Sequence, residues 1–114
     1  MRVYPAYTVV AEKYQAMVSL GMVNTRLKDY FDLWVLMKHV SFDPNILREA
    51  IAATFARRKT PMPQELPLGL SGAFTLDATK ITQWKAFLSK NKLQAPPLDE
   101  LVSELRPLLW GNNA

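Results

Sequence analysis

The stretch from Thr8 to His39, TVVAEKYQAMVSLGMVNTRLKDYFDLWVLMKH, decides the fold. It shows no strand-like alternation, and Gly21 divides it into two blocks of helix length. Wound at about 100° per residue from Val9, the first block places Leu20, Met17, Val10, Tyr14 and Val18 on an arc from roughly 20° to 180°. Glu12, Gln15 and Ser19 fall on the opposite side. Thr8 suits an N-cap for this helix and Gly21 a C-terminal stop. The second helix is expected from about Arg26 to His39, capped by Asn24 or Thr25. Its broad apolar arc holds Leu27, Tyr30, Leu33, Trp34 and Met37, and its narrow polar face holds Lys28, Asp32 and His39.

Outward from this pair, Asp43 followed by Pro44 is a cap and a first helical position, so a third helix runs to about Lys59. Arg57, Arg58 and Lys59 then meet the favourable end of its dipole. Pro61, Pro63 and Pro67 keep the connector from Thr60 to Gly69 out of a helix. Asp77 caps a fourth helix to about Asn91, with Ile81, Trp84, Phe87 and Leu88 on one face. After Pro96 and Pro97 a fifth runs from about Asp99 to Leu109, where Leu101, Val102, Leu105, Leu108 and Leu109 are apolar and Pro107 disturbs the last turn. The fold class is all-α: a compact bundle of about five helices with a Pro-rich connector after the third. A chain of 114 residues supplies one core, so residues 1–114 are expected to be a single domain.

Composition narrows the chemistry. Nearly half of the chain is hydrophobic and a fifth is charged, the balance of a globular protein. The absence of cysteine removes disulfides and cysteine-based zinc sites, and a single histidine, His39, leaves little basis for a histidine-based metal site or a Ser/His/Asp relay. No apolar run approaches membrane length and Met1 to Pro5 carry no signal-type apolar core, so a cytoplasmic location and no membrane partner are expected. The net charge of +4 and a pI of about 9.5 give mild support for a nucleic-acid partner, and Arg57-Arg58-Lys59 is the tight basic cluster.

Three charges break the apolar pattern. Lys13 falls near 40°, between Leu20 and Met17. Asp29 projects near 300° from Arg26, between Leu36 and Val40, and Arg26 lies within the arc in the first turn. A lysine in such a place snorkels outward, pairs with a buried acid or holds an anionic ligand. Two arrangements satisfy the pattern. One is a structural Arg26–Asp29 pair with Lys13 reaching Asp29 or Asp32 across the helix interface. The other is a site where the same groups face a nucleotide phosphate or a metal-bound substrate. His39, on the polar side, and Trp34, Trp84 and Trp110, beside apolar faces, are read as structural.

The segments AEKYQAM, containing Lys13, and RLKDYFDLW, containing Arg26, Lys28, Asp29 and Asp32, resemble the AbiEii/AbiGii nucleotidyltransferase toxins. There an (V)AEK-x-x-A helix precedes an R-x-K/R-D-x-x-D-L helix. ATFARRKTP and QWKAFL extend the similarity, which covers about Val3 to Trp110. The resemblance implies the toxin half of a toxin–antitoxin or phage-defence system that transfers a nucleotide from an NTP, with tRNA or another RNA as acceptor in some members. It implies that Lys13 contacts NTP phosphates and that Asp29 orients it or moves a proton. Arg26, Lys28 and Asp32 would support the nucleotide site. It also implies magnesium, held in the family by a D-x-D pair after a Gly-Ser or Gly-Gly turn. Neither D-x-D nor E-x-D occurs in this sequence. The expectation is therefore a helical C-terminal part that holds no metal by itself, contributes Lys13 and Asp29 to an NTP site and lacks catalysis alone. The competing readings are a non-catalytic helical module that binds an antitoxin or a second copy of itself, and an RNA binder acting through Arg57-Arg58-Lys59.

Overall fold

The computed structural model describes residues 5–110. The outermost positions of the single-domain expectation, 1–4 and 111–114, lie outside them, as does the Val3 start of the resemblance. Helix α1 spans Pro5–Leu20, α2 Leu27–His39, α3 Pro44–Arg57, α4 Gly72–Thr75, α5 Ala78–Lys90 and α6 Leu98–Leu109. Two 3₁₀ turns, Gly21–Val23 and Leu68–Leu70, complete the path, and no strand occurs among the described residues. The all-α expectation holds. The count rises from five to six because α4 is a single turn, too short for apolar periodicity to reveal, that seats Phe74 and Thr75 in the core.

Local chemistry explains most of the boundaries. Asp43 caps α3 by accepting from the Asn45 and Ile46 backbone N–H groups, with Pro44 opening the helix, and Asp77 caps α5 by accepting from Lys80 N–H. Gly21 ends α1 with φ of +52°, a conformation glycine adopts without penalty. Three expectations are corrected. Thr8 is not the cap of α1, because the chain is already helical at Pro5, and a proline fits a first turn that lacks N–H acceptors. Neither Asn24 nor Thr25 is the α2 cap; Arg26 holds that position, and the Asn24 side chain accepts the Arg26 N–H just ahead of the helix. Helix α3 stops at Arg57 instead of Lys59. Lys59 is left-handed at φ 53°, and its N–H and that of Thr60 close back on Ala56 and Phe55, satisfying the last carbonyls.

Helices α1 and α3 form the most extensive pair, and α2 bridges α6, α1 and α5. Between them Val10, Tyr14, Met17, Tyr30, Leu33, Phe55, Phe74, Leu101 and Leu105 are almost entirely buried. The connector is drawn onto the bundle by Tyr30, whose hydroxyl donates to Gly69 O at 2.8 Å, and by Arg106, whose Nε donates to Leu70 O at 2.7 Å. Pro107 does not break α6, and the Trp110 N–H still reaches Arg106 O at 2.8 Å. Gln15, expected on the solvent side, is buried because Thr60 of the connector folds over it and accepts from its amide at 2.9 Å.

Candidate functional site

The α1–Gly21–α2 hairpin sets Lys13 and Asp29 face to face. Lys13 Nζ stands 2.9 Å from Asp29 Oδ1 and 3.2 Å from Asp32 Oδ2. Arg26 Nε contacts the other Asp29 oxygen at 3.1 Å, and Lys28 Nζ contacts Asp32 Oδ2 at 2.8 Å. All five residues singled out by sequence thus form one connected charge network. It contains three cations and two carboxylates, so one positive charge is left in surplus.

The members differ in depth. The Asp29 side chain is 9% exposed and Lys13 20%, whereas Arg26 is 56% exposed and Lys28 72%. Arg26 therefore corrects the wheel. As the N-cap it lies outside the helical phase, and its guanidinium leaves the core for the surface. Asp32, placed by the wheel with exposed Lys28, is instead partly covered and shares the Lys13 ammonium.

Burial pulls the Lys13 pKa down, but the facing Asp29 and Asp32 carboxylates outweigh it, and the net direction is upward. For Asp32 burial pulls upward, while hydrogen bonds from Lys28 and Lys13 outweigh it and lower the pKa. Both ions are held in their charged forms.

The turn before α2 is fixed from below. Asn24 is buried, its backbone carbonyl accepts from Lys80 Nζ at 2.7 Å, and the Lys80 ammonium sits 4.9 Å from the Phe74 ring centre. A lysine on an amphipathic helix reads as a solvent residue, so nothing in the pattern of α5 marks Lys80 as buried.

On the solvent side of the network, a cleft of about 350 Å³ is lined by Thr8, Val9, Glu12, Lys13, Ala16, Arg26 and Arg58. Glu12 and Arg58 line this cleft although the sequence reading did not place them there. Arg58 arrives from the end of α3, and sequence spacing carries no sign that this end packs beside the first turns of α1. Glu12 accepts a hydrogen bond from Arg57 and forms ion pairs with both Arg57 and Arg58. Arg57 and Arg58 are consequently part neutralised, and Arg58 shares the cleft with Lys13. His39 is exposed at the end of α2.

Among the described residues no group of three His, Asp or Glu side chains converges as a metal cage. Asp29 and Asp32 are each committed to cations, so this donor set does not fit the magnesium that the resemblance implies. No helix among the described residues is long and apolar enough to cross a membrane.

Comparison with known proteins gives one family. The model described as "Nucleotidyl transferase AbiEii toxin, Type IV TA system" matches residues 1–104 of the 114. No curated protein and no solved structure matches.

Proposed function

The chain belongs to the AbiEii nucleotidyl transferase toxin family of type IV toxin–antitoxin systems, and from that premise we propose that its Lys13–Asp29 face is the cationic half of an NTP site. The carrying observation is the 2.9 Å Lys13–Asp29 contact, opening onto a cleft that Lys13 and Arg26 line together. Lys13 contacts the phosphates, and Asp29 fixes the direction of its ammonium or takes part in proton transfer. Arg26 adds charge at the rim, while Lys28 and Asp32 hold the network in place. Phosphoryl-group chemistry of this class relies on metal ions to neutralise the phosphates. The carboxylates for that purpose come from outside these residues, so the chain binds nucleotide weakly and does not catalyse transfer alone. Residues 1–114 act as one helical domain of a cytosolic toxin that serves in phage defence, with an antitoxin protein as partner and tRNA or another RNA as acceptor.

Titration of ATP, CTP, GTP and UTP into the labelled chain, followed by amide NMR shifts, tests this reading. Shifts should cluster around Lys13, Arg26 and Asp29 and vanish in Lys13→Met and Asp29→Asn. Saturable binding that is indifferent to both substitutions would sink it.

A second reading, a protein-interaction module, is favoured by a separate observation. Val23 is 78% exposed, Leu76 64% and Leu68 51%. The Gly21 turn and Leu68 adjoin, since a Cβ on Gly21 would stand 3.8 Å from Leu68 Cδ1. Exposed aliphatic groups on neighbouring turns favour association with an antitoxin or a second copy. Sedimentation of the wild type against Val23→Glu/Leu68→Glu decides: an unchanged monomer in both removes self-association.

A further inference from the structure

We propose that Arg58 is a third phosphate-binding side chain of the cleft and that Glu12 is its internal stand-in anion, released when a polyphosphate arrives. This inference rests on the NTP-site reading and adds a residue and a device to it. Arg58 lines the same cleft as Lys13 and Arg26, and the three come from three separate elements: the middle of α1, the cap of α2 and the C-terminus of α3. Convergence of three cations from distant parts of the chain on one opening concentrates positive potential there. Glu12 is the acidic residue lining it, one position before Lys13. Its two carboxylate oxygens are divided between Arg57 and Arg58.

That division is what an anion receptor shows with a tethered carboxylate in place of ligand. The Glu12 side chain is 29% exposed, and those of Arg57 and Arg58 are 58% and 53% exposed. A pair so open to water is held weakly. A triphosphate carries more charge and more acceptor oxygens than one carboxylate, so it competes for Arg58 and displaces Glu12 toward solvent. Arg57 does not line the cleft and keeps Glu12 as its partner after exchange. The arrangement makes Glu12 a competitor that lowers phosphate affinity and discriminates against ligands with too little charge to displace it.

The test uses inorganic tripolyphosphate, inorganic phosphate and ATP as probes in calorimetric titrations of the full chain at low salt. Glu12→Gln should bind tripolyphosphate about tenfold more tightly than wild type, the gain of freeing one charged hydrogen-bond donor. Arg58→Gln should bind it about tenfold less tightly, and the double variant should behave like Arg58→Gln. Arg57→Gln should weaken binding less than Arg58→Gln does, since it removes only the partner that receives the displaced Glu12. The opposite signs of the Glu12 and Arg58 effects guard against misfolding, since a damaged fold cannot tighten binding. Unchanged or weaker binding by Glu12→Gln, or a loss that follows Arg57 rather than Arg58, overturns this inference, and leaves the site reading intact if Lys13→Met still abolishes binding. Binding that ignores Lys13→Met, or none in any variant, overturns both.

Discussion

The Lys13 ammonium lies 2.9 Å from Asp29 Oδ1, a contact between residues sixteen positions apart that ties α1 to α2. The same ammonium reaches Asp32 at 3.2 Å, so one cation organises two carboxylates on consecutive turns of α2. The arrangement ties the two helices of the hairpin together and keeps a positive group on the wall of the cleft. Loss of Lys13 strands a largely buried carboxylate with Arg26 as its remaining partner. Lys13→Met should therefore cost about 1–2 kcal/mol, and Asp29→Asn a comparable amount. The double variant should cost less than the sum, because two neutral groups need no compensation. Urea unfolding of the four proteins measures this. Simple additivity would show that the two charges are not coupled.

The ionisation of the network sets how stability changes at both ends of the pH range. Asp32 titrates lower in the folded chain than its ordinary 3.8, so its contribution is present above that value and is lost as pH falls through the lower folded pKa. Lys13 titrates above its ordinary 10.5, so its contribution is complete below that value and disappears as pH rises through the folded pKa. Two tyrosines act in the same alkaline direction. Burial pushes Tyr14 up to about 12. It pushes Tyr30 up as well, the Asn24 hydrogen bond opposing and Asp29 reinforcing. Thermal melts from pH 3 to pH 11 should show losses at both ends. Asp32→Asn should flatten the acid limb, and Lys13→Met should reduce the alkaline limb without removing it. An acid limb equally steep in Asp32→Asn would mean that another carboxylate controls it.

The parts of this architecture legible from sequence are those decided within one turn of the chain. Asp43-Pro44 and Asp77 announce their helices because the cap and the N–H groups it satisfies are neighbours. Lys13 and Asp29 stand out because each violates the apolar arc of its own helix. What escapes is set by distant packing. Gln15 is buried because the connector lies over it, and Lys80 because the Asn24 carbonyl draws its ammonium inward. Arg58 enters the cleft through the α1–α3 pairing, which no helical wheel contains. The cap of α2 escapes for a different reason: Asn24 does use its side chain, but on the N–H of Arg26, ahead of the first helical turn.

Gly69 marks the closest approach of the connector to the core. A Cβ there would stand 2.6 Å from Met17 Cγ and 2.7 Å from the Tyr30 hydroxyl, distances that real contacts do not show. Gly69→Ala should destabilise by about 1–3 kcal/mol through overpacking, and should cost the Tyr30–Gly69 hydrogen bond as the ring withdraws. Tyr30→Phe deletes the oxygen from this crowd, so Gly69→Ala should cost less in the Tyr30→Phe background than in wild type. Chemical denaturation of the four chains checks it, and an equal cost in both backgrounds would place the strain on Met17 alone.

The two helix ends that carry lysine where glycine is favoured offer the reverse experiment, a gain in stability. Lys92 is left-handed at φ 54°, and its N–H and that of Leu93 close on Ser89 and Leu88, the same double closure that Lys59 makes after α3. A side chain in this conformation costs roughly 1 kcal/mol that glycine does not incur, partly offset by the greater freedom of glycine in the unfolded chain. Lys92→Gly should then raise stability by about 0.5 kcal/mol and the melting temperature by a few degrees. Lys92 is exposed, and no contact of its side chain enters the charge network. Nucleotide affinity should accordingly stay at the wild-type value while the melting temperature rises. Lys59→Gly should give a similar thermal gain, but it also removes a positive charge beside Arg58, so polyphosphate binding should weaken slightly at low salt and match wild type at high salt. Equal melting temperatures for wild type and both glycine variants would show that these turns are not closed in the left-handed form.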